Sequence, residues 1–90
     1  MSSPAKALMD VFHDFAMDYK KTGEYDKGFV FDTAESAVNN VMHGRAIKEV
    51  LAMVRSTLVS NKEMDFTTPS EAEAYEETLE LLDEFAKDYQ

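Results

Sequence analysis

Apolar residues recur every three or four positions along most of the chain, a spacing that predicts helices rather than strands. Ala5, Leu8, Val11, Phe12, Phe15, Ala16 and Tyr19 make one such face. Ser3-Pro4 stands ahead of them as an N-cap with proline at the first helical position. Lys20 and Lys21 occupy the last turn, where the helix dipole favours cations, and Gly23 follows as a terminator. The pattern predicts a helix over residues 4–21.

Residues 24–31, EYDKGFVF, break the rhythm. Gly28 interrupts them, and Phe29-Val30-Phe31 is a short apolar run with no second strand to pair with. The expectation is a loop whose aromatics plug the core, with a short β pairing as the lesser alternative. Asp32 with Glu35 three residues on resembles a capping box, and Ala34, Ala37, Val38 and Val41 share the face beyond it. After Gly44 the apolar set becomes Ile47, Val50, Leu51, Val54 and Leu58. On a continuous helix these two faces would differ by about 130°. A straight helix would leave one of them wet, so the pattern predicts two helices, 33–43 and 45–60, broken at His43-Gly44. One kinked helix is the alternative.

Residues 61–68 read as a linker. Thr68-Pro69-Ser70-Glu71 is a strong start signal: cap, proline at N1, glutamate at N3. Tyr75, Leu79, Leu82, Ala86 and Tyr89 follow at spacings of 4, 3, 4 and 3. Ala74, Leu81 and Phe85 widen the stripe, and Thr78 is its one polar member. The last helix is expected over 69–89. Four helices with short links, in a chain of one-domain length, predict an all-α bundle of about four helices over residues 1–90.

Composition narrows the function classes. There is no cysteine, hence no disulfide framework, thiol nucleophile or thiolate metal site. No basic segment leads into an apolar run at the N-terminus, and no apolar stretch approaches 18 residues. These features predict a cytoplasmic chain that does not enter a membrane. An EF-hand loop aligned on Gly28 would place Gly23, Tyr25 and Lys27 at its first, third and fifth positions and Ala34 at its twelfth, so calcium ligands are missing. His13 and His43 lack ligand spacing and read as a surface residue and a helix-end residue. No nucleophile elbow and no phosphate loop is present. The expectation is a protein without enzymatic activity, metal or cofactor. Met42, Met53 and Met64 read as core filler, and Met17 as exposed.

The charge is the distinctive feature. The formal net charge is −9; residues 71–90 hold eight acids and one base, net −7, and the other seventy residues hold ten acids and eight bases, net −2. On a helical wheel Glu73, Glu76, Glu77, Glu80, Asp83, Glu84 and Asp88 fall within about 140° of arc opposite the apolar stripe. Like pairs such as Glu73–Glu77, Glu76–Glu80 and Glu80–Glu84 each cost about 0.2–0.5 kcal/mol, and Asp83, Glu84 and Asp88 sit at the unfavourable end of the dipole. Stability alone would not choose this arrangement. Asp10, Asp14 and Asp18 form a second row at i,i+4 spacing on the first helix.

From Glu71 to Asp88 there is one carboxylate per roughly 3 Å of helix, close to the one phosphate per 3.4 Å of a DNA strand. In charge and size the chain is similar to the phage-encoded DNA-mimic inhibitors of restriction and CRISPR enzymes. Those proteins share no common motif, so the likeness covers no residues one by one. The expected partner is a basic, nucleic-acid-binding protein, contacted through these ten carboxylates, with no direct binding of nucleic acid or anionic lipid. The alternative is an accessory or structural subunit, a homodimer for example, that buries the wide apolar arc of the last helix and leaves the acidic face merely solvated.

Overall fold

The computed structural model describes residues 3–89 and contains four helices, with no strand among them: α1 (Pro4–Lys21), α2 (Tyr25–Val41), α3 (Ile47–Lys62) and α4 (Pro69–Ala86), closed by a 3-10 turn at Lys87–Tyr89. The all-α bundle expected from the pattern is the observed fold.

The ends of α1 and the start of α4 are built as the sequence signals. The Ser3 hydroxyl accepts from the Lys6 amide at 3.2 Å. At the other end of α1 the Gly23 amide donates to the Lys20 carbonyl and the Glu24 amide to the Tyr19 carbonyl, a Schellman closure. Gly23 adopts φ +87°, a conformation that costs glycine nothing. Thr68 and Glu71 form a reciprocal capping box, each side chain accepting from the other's amide at 3.1 and 3.0 Å. Helix α4 stops at Ala86, three residues earlier than its stripe suggests.

The segment expected to be a loop is helical. Residues 25–31 are the first two turns of α2. Gly28 does not break the helix. It lies where α2 meets α1: a Cβ there would stand 2.9 Å from Lys20 Cγ and 3.0 Å from the Ala16 carbonyl oxygen. The glycine allows a close approach of the two helices. Val30 and Phe31 are fully buried, while Phe29, the residue before them, points outward at 60% exposure. Asp32 is accordingly no cap. Mid-helix, it receives the Lys20 ammonium, and Glu35 faces His13 Nδ1 at 3.3 Å, so both tie α2 to α1.

The expected break is present. Helix α2 ends at Val41, α3 starts at Ile47, and Gly44 turns the chain at φ +68°. His43 lies in this turn. Helix α2 is central and touches the other three; α1 packs chiefly on α2, and α3 packs on α4. The cross-helix pairs Lys20–Asp32 with His13–Glu35, and Lys62–Glu76 with Arg55–Asp83, run in opposite sequence directions, so both hairpins are antiparallel. Leu8, Phe12, Phe31, Val30, Val38, Val54, Leu58 and Leu82 fill the core. Thr78 is buried there with its hydroxyl donating to the Tyr75 carbonyl at 2.7 Å, which removes the cost of an unpaired polar group. Leu79 is only half-buried, as are Phe85 and Tyr89.

Candidate protein-binding surface

The stripe of carboxylates on α4 separates into two borders once its neighbours are in place. Toward α3, Glu76 receives Lys62 at 3.0 Å, and Asp83 receives Arg55 through Nε at 3.1 Å and Nη2 at 3.5 Å. That border is paired with cations. Toward α1 and α2 run Glu73, Glu77, Glu80 and Glu84, one per helical turn. Glu73 reaches Lys27 of α2 at 3.6 Å. Glu77 accepts the Tyr19 hydroxyl, a neutral donor that leaves its charge uncompensated. Glu80 has no cationic partner among the described residues. Glu84 meets Lys87 of the terminal turn at 3.0 Å, an exposed i,i+3 pair of the kind that contributes little. Asp88 lies in that turn, exposed and without an ion pair among the described residues.

Opposite the α1 border stands Phe15. Its spacing puts it on the apolar face of α1, yet it is 38% exposed, because α1 is covered along its length by α2 and barely by α4. One face of the ring stacks on Phe31, with centroids 5.3 Å apart and planes at 17°. Phe15 then forms the divide between two shallow grooves. One, of about 240 Å³, is lined by Phe15, Leu81, Glu77, Glu80 and Glu84; the other, of about 210 Å³, by Phe15, Tyr19, Thr22, Asp18 and Glu24. Five carboxylates thus surround one exposed aromatic ring. Of the α1 row Asp18 lines one of these two grooves; Asp14 and Asp10 continue its line along α1, exposed and without ion pairs among the described residues.

The neighbouring turn shows what such a surface does with a cation. Lys27 places its ammonium 5.6 Å from the centre of the Tyr19 ring, with Glu24 at 3.8 Å and Glu73 at 3.6 Å. Donation to Glu77, with burial adding to it, holds the Tyr19 phenol protonated and raises its pKa from 10 to about 12. At the start of α2 a hydrogen bond from Ser70 lowers the pKa of Asp26.

A second surface was not legible in the pattern. Phe29, Met64 and Phe66, at 60%, 44% and 80% exposure, line a groove with Thr33, Asn61, Thr67, Glu71 and Tyr75. Met64 is therefore surface and not core filler: α3 ends at Lys62, and the loop carries Met64 and Phe66 outward. Burial raises the Tyr75 pKa, with the Glu71 charge adding to it. Among the described residues no group of three or more His, Cys, Asp or Glu converges on a metal-sized site, and no helix is long and apolar enough to cross a membrane. No protein-family model, curated protein or solved structure matches the chain.

Proposed function

We propose that this protein is a non-enzymatic binding module that engages a basic, nucleic-acid-binding protein and blocks it by presenting carboxylates in place of phosphates. The contact is the α1 border of α4 together with the facing side of α1, narrower than the whole of residues 73–88. The observation that carries the reading is the ring of Asp18, Glu24, Glu77, Glu80 and Glu84 around the exposed Phe15. Charge around an apolar centre gives a partner both long-range attraction and a surface to desolvate. The α3 border supports it less, since Arg55 and Lys62 already answer Asp83 and Glu76.

The test is capture from a lysate at low salt, followed by competition with duplex DNA. A mimic predicts that the retained protein binds DNA and is released by it. Retention that ignores both DNA and salt would remove the reading.

The second reading, an accessory or homo-oligomeric subunit, draws on the other surface. The apolar arc of α4 is largely consumed by the core, but Phe29, Met64 and Phe66 form an exposed patch of the kind that subunit contacts cover. Mass in solution discriminates: a dimer that Phe66→Ser dissociates supports it, and a monomer at high concentration removes it.

A further inference from the structure

We propose that the outer face of Phe15 is the seat of an arginine side chain from the basic partner, which rests on the ring while its guanidinium bonds the surrounding carboxylates. The inference deepens the acidic-surface reading and rests on it. Phe31 covers one face of the Phe15 ring, so the other face is the part that remains open. The grooves on either side of it combine apolar lining, from Leu81 and Tyr19, with the carboxylates of Glu77, Glu80, Glu84, Asp18 and Glu24. A neutral apolar ligand would strand those carboxylates against a dry surface, and an anion would be repelled. A cation with a flat, weakly hydrated head fits both parts.

The molecule contains its own precedent one turn along α1. Tyr19 follows Phe15 by four residues, and there Lys27 fills an equivalent place, its ammonium over the ring and between Glu24 and Glu73. At Phe15 the ring and the carboxylates of α1 and α4 recur; of these, Glu84 is engaged by Lys87 and Glu24 by Lys27, while Asp18, Glu77 and Glu80 have no ion pair among the described residues. Arginine is favoured over lysine because its planar head stacks on a ring and offers two parallel donors to a carboxylate, while an ammonium is a compact and more strongly hydrated charge.

The test uses two synthetic peptides of equal length and charge, one arginine-rich and one lysine-rich, titrated by calorimetry at low ionic strength into the parent and into Phe15→Leu. The expected result is that the parent prefers the arginine peptide by up to about fivefold, the full worth of a cation–π contact at an exposed site being the upper bound because lysine can make a weaker one, and that Phe15→Leu abolishes the preference. Because Phe15 also packs on Phe31, the ring resonances of Phe15 in the parent provide a second readout, and they shift with the arginine peptide more than with the lysine peptide. Equal binding of both peptides, unchanged in Phe15→Leu, overturns the arginine seat while leaving the acidic surface intact. Failure of both peptides to bind at low salt removes the acidic-surface reading itself.

Discussion

Replacing Gly28 by alanine sets two known effects against each other. In an exposed helix interior, glycine to alanine gains about 1 kcal/mol from backbone propensity. At Gly28 the added methyl would stand 2.9 Å from Lys20 Cγ and 3.0 Å from the Ala16 carbonyl oxygen. The lysine carbon can move, at the expense of the Lys20–Asp32 pair; the carbonyl belongs to α1 itself and cannot move alone. Overpacking of this kind costs about 1–3 kcal/mol. The net expectation is a loss of about 1 kcal/mol, and Gly28→Leu should lose considerably more. In urea unfolding, with a slope of about 1 kcal/mol/M for so small a domain, the midpoint falls by about 1 M for alanine. Thermally, the same loss lowers Tm by about 4–8 °C. A stabilised Gly28→Ala variant, gaining the full propensity value, would refute the close approach of α1 and α2.

Other positions give sharper contrasts. Leu82 is fully buried and Leu79 half-buried, so Leu82→Ala should cost about 2–5 kcal/mol and Leu79→Ala clearly less; equal losses in chemical unfolding would contradict the rotation of α4. The Tyr19 pKa is raised in the folded state, so the stability it contributes is complete below pH 10 and is lost as the pH climbs toward 12. The difference in stability between the parent and Tyr19→Phe should therefore shrink over that window, and a constant difference would show that the bond to Glu77 is not what holds the proton.

Much of the architecture was legible because it is local. The caps at Ser3 and Thr68 satisfy orphan amides within one turn, and the change of apolar phase across Gly44 is a property of neighbouring residues. The start of α2 was not, because a glycine reads as a breaker unless its tertiary contact is known. The spacing of Val30, Phe31, Ala34, Ala37 and Val38 would have carried the helical period back through the segment. The acidic surface divides the same way. Which carboxylates share a face of α4 follows from its period alone. Which of them Lys27, Lys62, Arg55 and Tyr19 answer depends on how the four helices are rotated against each other, which no single helix records. The exposure of Phe15 depends on packing in the same way: its face of α1 is apolar, but α4 does not close over it.

The central claim is that the α1 border, and not the net charge, makes the contact. Two triple variants separate these, since each removes three carboxylate charges: Glu77→Gln with Glu80→Gln and Glu84→Gln on the α1 border, and Glu76→Gln with Asp83→Asn and Asp88→Asn elsewhere. The measurement is the association rate of the arginine-rich peptide with each, followed from low to high salt. The account predicts that the α1-border variant binds several-fold more slowly than the other at low salt, and that salt erases the difference. Equal rates for the two variants at low salt would contradict it.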